Sequence, residues 1–318
     1  MRSFEYVKAR SVEGAVQLSS SESRFLSGGI DLLGEMKEYI VSPRRVIDLK
    51  TIPNLDRIDT STETWKLGAN VRIAEIASND QVRAMLPGLA EAAAEVGSPQ
   101  IRNVATLGGN LAQHSRCWYY RHRDLRCLKR GGSTCYAREG ENKYHSLYSG
   151  NPCISPVVSN LAVILAALGA KVIVRRGEQE VTFAIPDLYS DAWNNPLAHN
   201  SLRPADLIVR VEVPIAKNRS TYMQISEKRD FDWALVSCAA AGQKTAGAWA
   251  QLAVFLGAVA PIPYAVESPL LERGELTSDS IASIAETLAA KATPLAQNGY
   301  KLPIAQALVR RCLDRITT

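Results

Sequence analysis

Hydrolytic machinery is missing from this chain of 318 residues. It has no HExxH pair, no GxSxG elbow, and no two carboxylates placed for acid–base work. Histidine is scarce, occurring only as His114, His122, His145 and His199. Nucleotide fingerprints are missing as well. Neither GxGxxG nor GxxxxGK(S/T) occurs, which disfavours an ordinary Rossmann site or an NTPase. No apolar run approaches the roughly 18 residues that cross a bilayer, so no membrane insertion is expected. The longest candidate, Leu161 to Ala170, is short and alanine-rich and reads as a buried helix. Met1-Arg-Ser-Phe-Glu-Tyr6 has no apolar core and no small-residue cleavage site, so a cytoplasmic protein is expected.

Net charge is also small, at +5. The basic residues gather between Arg116 and Arg130, interleaved with Trp118, Tyr119 and Tyr120. Such mixing suits single-stranded nucleic acid. The same stretch holds Cys117 and Cys127, however, and positive charge beside thiolates stabilises them electrostatically. No nucleic-acid partner is expected.

What the chain does have is four cysteines in one polar segment: Cys117, Cys127, Cys135 and Cys153. Their spacing, C-x9-C-x7-C-x17-C, matches neither zinc ribbons nor bacterial ferredoxin runs. Free cysteines are often just buried hydrophobes. These four lie among Arg, Lys, Gly, Ser and Asn, so a soft metal centre is the better reading, with zinc and [4Fe–4S] both chemically open. Cys238, in an apolar strand, and Cys312, on the apolar face of a helix, suit core packing instead.

Two glycine-bearing loops stand out beside this cluster. In Phe25-Leu-Ser-Gly-Gly-Ile-Asp-Leu-Leu33, glycines between a strand and a helix let main-chain N–H groups converge on an anion. Ala105-Thr-Leu-Gly-Gly-Asn-Leu111 is of similar type: Thr106 and Asn110 offer side-chain hydrogen bonds, and Gly108 and Gly109 permit close backbone approach. As a pair they suit the two phosphates of a dinucleotide. Asp31 reads as a structural or ribityl-binding group rather than a base.

Along the chain, strand and helix signals alternate over the first hundred residues. Strands are predicted at Arg24–Gly29, Arg45–Leu49 and Thr64–Ala69, and helices at Ile30–Tyr39 and Gln81–Val96 with a break at Leu86-Pro-Gly88. Pro156 to Gly169 reads as a helix, Lys171–Ala184 as a hairpin and Leu207–Val213 as a strand. Long strands follow at Trp233–Ala241 and Ala248–Val259, then helices at Ser280–Ala292 and Pro303–Ile316. A boundary near Lys217-Asn218 divides the chain.

The order of four motifs resembles the FAD-binding subunit of molybdenum hydroxylases, the relatives of xanthine dehydrogenase, aldehyde oxidoreductase and carbon monoxide dehydrogenase. The motifs are Phe25 to Leu33, Ile101 to Leu111, Ser155-Pro-Val-Val-Ser-Asn-Leu161, and Asp206 to Pro214. The resemblance implies an α+β architecture: a two-lobed PCMH-type FAD domain over residues 1–216, then a CO-dehydrogenase flavoprotein C-terminal-like domain over 217–318. It implies FAD held by Leu26, Ser27, Gly28, Gly29, Ile30, Asp31, Leu32 and Leu33 and by Ala105, Thr106, Gly108, Gly109 and Asn110. Ile208 is expected to touch the flavin or its adenine side. Asn160 stands where many relatives carry Asp, and Gln224 where many carry Lys, with Lys228 nearby. The segment of about 114–154 looks like the insertion in the flavin subunits of 4-hydroxybenzoyl-CoA reductase and a bacterial aldehyde oxidoreductase. There it holds an additional [4Fe–4S] cluster, which implies that Cys117, Cys127, Cys135 and Cys153 do so here. The expected partners are a molybdenum-cofactor large subunit and a [2Fe–2S] small subunit. Rival readings are a zinc-stabilised binding module without flavin and a self-contained PCMH-type flavin oxidase. The latter is weakened by the lack of a covalent-flavin histidine in the first loop.

Overall fold

The computed structural model describes residues 1–318 apart from 217, 218, 229, 230, 246, 247, 275 and 318. The boundary expected at Lys217-Asn218 lies outside the described residues. The architecture is α+β, built on three sheets.

The first sheet is small and parallel. β1 (Glu5–Lys8) and β2 (Ser23–Leu26) flank β3 (Arg45–Asp48). Where β2 ends, Gly29 takes φ +76°, a left-handed turn that glycine enters without a Cβ clash. The chain then enters the helix Leu32–Lys37, two residues later than the apolar spacing predicts.

The second sheet is antiparallel. β4 (Ile58–Asp59), β5 (Thr64–Gly68), β6 (Lys171–Arg176), β7 (Gln179–Ala184) and β8 (Leu207–Pro214) are arranged β4-β5-β8-β6-β7. The predicted break at Leu86 is present: Pro87 opens a new helix, Pro87–Ala94, after the helix Asp80–Met85.

The third sheet holds β9 (Arg219–Ser226), β10 (Ala234–Thr245), β11 (Ala248–Gly257) and β12 (Tyr264–Ala265), with β13 (Arg273–Gly274) pairing β11. Both faces of β10 are buried, and its period-two alternation sorts them. Ala239 and Ala241 join the core around the helix Asn160–Leu168. Val236, Cys238 and Ala240 join a second core beneath the helices Ser278–Glu286 and Lys301–Thr317. Cys238 and Cys312 are thus packing residues, with the Cys312 thiol 3.6 Å from the Cys238 carbonyl.

Two further helices differ from expectation. The one predicted from Pro156 begins at Asn160, because the Ser159 hydroxyl accepts from the Ala162 amide at 3.0 Å and caps it there. Upstream, the Val157 amide is committed to the Ala260 carbonyl at 2.7 Å. The one predicted over Ser280–Ala292 runs from Ser278 to Glu286 and tightens into a 3₁₀ turn at Thr287–Ala289. Among the described residues no helix is long and apolar enough to cross a membrane.

Candidate functional site

The two glycine loops meet across one cleft with about 1120 Å³ of empty space. Leu26, Ser27, Gly28, Gly29, Ile30, Asp31 and Leu32 line one wall, and Ala105, Thr106, Gly109 and Asn110 the other. Side chains brace the loops against each other. Ser27 Oγ donates to Asn70 Oδ1 at 2.6 Å and lies 3.0 Å from Thr106 Oγ1. The single serine proton goes to the asparagine carbonyl, so the Thr106 hydroxyl is the donor to Ser27. Asn70 is fixed in turn, its Nδ2 donating to the Leu49 carbonyl at 2.8 Å. Thr106 also caps the short helix Leu107–Leu111 by accepting from the Gly109 amide at 3.3 Å.

The glycines have different tasks. A Cβ on Gly28 would stand 2.3 Å from the Val104 carbonyl oxygen, so Gly28 is required for one loop to touch the other. A Cβ on Gly108 would press on Ala69 at the end of β5, and Gly108 does not line the cleft. Gly109 faces the open space, where a Cβ would meet only Thr106 Oγ1, at 3.1 Å. Gly109 is therefore the position at which backbone can approach a ligand. Leu33 packs beneath the loop with Leu26 and Met36 rather than lining the cleft.

Asp31 is a structural hub. It accepts from the His114 amide at 2.7 Å and from Arg121 Nη2 at 2.6 Å, and it pairs with Arg116. Burial would raise its carboxyl, but Arg116, Arg121 and the His114 amide together hold it below the ordinary carboxylate range. Glu35, also buried, accepts from Tyr120 Oη at 2.8 Å and lies 3.1 Å from His114 Nδ1. Among the described residues the only three ligand-type atoms within 4.8 Å of one another belong to Asp31, Glu35 and His114. The arginines already neutralise that trio.

Three other predicted contacts lie away from the loops. Ile208 is buried in β8, within the core around the helix Asn160–Leu168. Asn160 Nδ2 donates to Tyr222 Oη at 2.9 Å and to Gln224 Oε1 at 2.8 Å, beside a smaller cavity that Trp233 also lines. Gln224 Nε2 donates onward to Glu95 at 3.2 Å. Lys228 lines a further cavity of about 990 Å³, with Trp118, Tyr144, Glu227 and Asp232. Trp233 borders all three spaces, and the Arg116 guanidinium lies 5.0 Å over its ring. No sequence signal singles out Trp233 beyond its place at the start of a strand.

The four cysteines, separated by up to 36 residues in sequence, converge. Cys117, Cys127, Cys135 and Cys153 line one space of about 280 Å³ with Lys129, Tyr120 and His145. The segment that carries them has little regular structure, a helical turn at Trp118–Arg121 and a 3₁₀ turn at Leu128–Arg130. Buried polar groups hold it instead. Lys129 Nζ donates to the Ala198 carbonyl at 2.7 Å, and burial lowers its pKa. Lys301, fully buried on the C-terminal helix, donates to the carbonyls of Tyr144, His145 and Ala258 at 2.8–3.0 Å. Asn298 adds donors to His145 and Ser146. His145 Nε2 lies 3.2 Å from Cys117 Sγ, and burial, then the charge of Lys301, pushes the imidazole down to about 4. Burial pushes the Cys117 thiol up to about 11. The neighbouring Cys153 thiol holds Cys135 down to about 6, while Cys135 and burial push Cys153 up.

Two family descriptions match the chain: the FAD binding domain in molybdopterin dehydrogenase over residues 2–216, and the CO dehydrogenase flavoprotein C-terminal domain over residues 220–316. The chain is 31% identical to the aldehyde oxidoreductase FAD-binding subunit PaoB of Escherichia coli, across 96% of each chain. It is 22% identical to the glyceraldehyde dehydrogenase medium chain of Sulfolobus acidocaldarius, over 92% of this chain and 89% of that one. Among solved structures, a chain of carbon monoxide dehydrogenase from Hydrogenophaga pseudoflava superposes with a TM-score of 0.77 at 24% identity, covering 99% of this chain and 97% of that one. That likeness concerns the fold.

Proposed function

Since the chain belongs to the family of FAD-binding subunits of molybdenum hydroxylases, a family of oxidoreductases, we propose that it is the electron-carrying subunit of a heteromeric complex. In that complex a molybdenum-cofactor large subunit does the substrate chemistry and a [2Fe–2S] small subunit relays electrons to this chain. Residues 1–216 form the flavin domain and 217–318 the C-terminal domain, a division supported by the two family matches. The observation that carries the reading is the braced pair of loops, with Gly109 facing open space beside the capped end of a helix.

FAD, when bound, supplies redox chemistry that can take electrons singly and release them in pairs. The chain's own residues hold it. Backbone N–H groups of Ser27 to Ile30 would face the pyrophosphate, while the amides of Leu107 to Asn110 are committed to Val71, Ala69 and Thr106, so the second loop contributes the room left at Gly109. The Ser27–Asn70–Thr106 brace fixes the spacing of the two loops. Asp31 lines the cleft, and the arginines and a backbone amide that bind its oxygens fix the loop in place. Leu33, Gly108 and Ile208 support the cleft from behind rather than by contact. At the far end the Gln224 amide is engaged with Asn160 and Glu95. Lys228, which lines the neighbouring cavity bordered by Trp233, is the cation we assign to that end.

The four cysteines fit a [4Fe–4S] cluster better than zinc. Tetrahedral zinc with Zn–S near 2.3 Å gathers its sulfurs roughly 3.8 Å apart. No three of the four sulfurs come within 4.8 Å of one another, and they surround a void instead. Buried Lys129 and nearby arginines offset the charge of a thiolate-held cluster.

Anaerobic purification of the assembled complex tests the reading by FAD, iron and zinc analysis of this chain. One FAD and about four irons are expected. Stoichiometric zinc without iron would overturn the cluster, and robust oxidation of an aldehyde or purine by the isolated chain would overturn the division of labour.

A further inference from the structure

We propose that His145 donates its Nε2–H to the Cys117 sulfur and that this fixed hydrogen bond raises the reduction potential of the iron–sulfur cluster. The inference rests on the cluster reading above and concerns a residue outside the four-cysteine set.

The geometry is specific. His145 is 2% exposed, and its Nε2 lies 3.2 Å from Cys117 Sγ. Its other ring nitrogen, Nδ1, is buried and makes no hydrogen bond of normal geometry, only a weaker approach to the Asn142 backbone, so the sulfur is the ring's one close hydrogen-bond partner. A thiolate bound to iron offers lone pairs and no proton, so the proton of this contact belongs to Nε2. Aromatic rings flank it. Trp118 packs edge-on at 5.6 Å and Tyr119 lies at 6.3 Å. The backbone on either side is pinned: the His145 amide donates to Asn142 at 3.0 Å, and its carbonyl accepts from Lys301 and Asn298. The other histidines do not compete. His114 and His199 stack on each other at 4.1 Å on the cleft side, and His122 is exposed. A hydrogen bond to a ligating sulfur draws electron density from the cluster and favours its reduced form, which raises the potential.

The test uses the assembled complex with His145→Leu and His145→Gln. It reads iron and FAD content together with the midpoint potential of the cluster's EPR signal. His145→Leu should keep both cofactors while its midpoint moves to more negative potential, and His145→Gln, which retains an amide donor, should lie nearer wild type. An unmoved midpoint in His145→Leu with iron retained overturns the hydrogen bond alone; wild-type protein without iron overturns the cluster reading as well. If His145→Leu does not assemble, pulsed EPR of the wild-type complex in deuterated buffer decides. A weakly coupled exchangeable deuteron and weak coupling to ¹⁵N-labelled histidine support the bond. Absence of the deuteron, or a coupling strong enough for direct iron ligation, overturns it.

Discussion

The loop cleft and the cysteine pocket adjoin each other yet are held by opposite means. The cleft stands on regular structure. One loop follows β2, the other lies against the end of β5, and neutral side chains brace them together. The pocket stands on irregular chain tied by charged groups: Asp31 with Arg116 and Arg121, Lys129 to a carbonyl, and Lys301 to three. A scaffold of the first kind tolerates loss of its ligand. One of the second kind has four thiols to place, and on the proposed cluster reading it would depend on the metal to order them.

The sharpest break in this comparison is at the cysteines. Replacing Cys117, Cys127, Cys135 or Cys153 by Ser should lower iron from about four per chain to near zero while FAD is retained, as read by metal analysis and flavin absorbance. FAD lost in parallel with iron would show that the cleft leans on the pocket.

The glycines come next. Gly28→Val should release FAD and also destabilise the protein by about 3 kcal/mol or more, because its side chain collides with the Val104 carbonyl. Gly109→Val should release FAD at nearly unchanged Tm, since its side chain enters the cleft and not the core. Calorimetry with flavin quantification separates them, and FAD retained in full by Gly109→Val would count against the loop.

Asp31 marks the seam between the regions. Its carboxyl, like that of Glu35, is held below its ordinary value in the folded state. The stabilisation is present in full above the ordinary carboxylate pKa of about 4 and is lost as pH falls through the folded value. Asp31→Asn should cost about 3 kcal/mol at neutral pH, because partly buried Arg116 loses its carboxylate partner and Arg121 keeps only Glu35. It should also flatten the acid dependence of unfolding, which denaturant titrations at pH 7 and pH 3 would measure. The smallest effect is expected at Cys238→Ala and Cys312→Ala. Iron should stay near four, with a loss of about 1–2 kcal/mol from the second core.

Much of this was legible in the sequence because it is local. Alternation marked β5 and β8, Pro87 marked a helix start, and the Ser-Gly-Gly and Leu-Gly-Gly runs marked the loops. The cysteines were recognisable by their polar surroundings, which no hydrophobic core would supply. The helix starting at Asn160 was mis-bounded because a serine cap and one backbone bond to Ala260 outweighed the apolar run. The brace through Asn70 and the roles of His145, Asn298 and Lys301 were illegible, since each pairs residues from 28 to 157 positions apart. A lone lysine near the start of an amphipathic helix reads as surface until the carbonyls around it are known.

Lys301 has a consequence for how such a chain is put together. Two of its three acceptors, Tyr144 and His145, belong to the cysteine-bearing segment, and the third, Ala258, to the end of β11. Excising the segment would strand an ammonium group in an apolar interior. Grafting it into a relative without Lys301 and Asn298 would leave main-chain oxygens with no donor. The segment is therefore not a detachable cassette: its inheritance is bound to a helix that lies more than 140 residues downstream, and the two must be transplanted together.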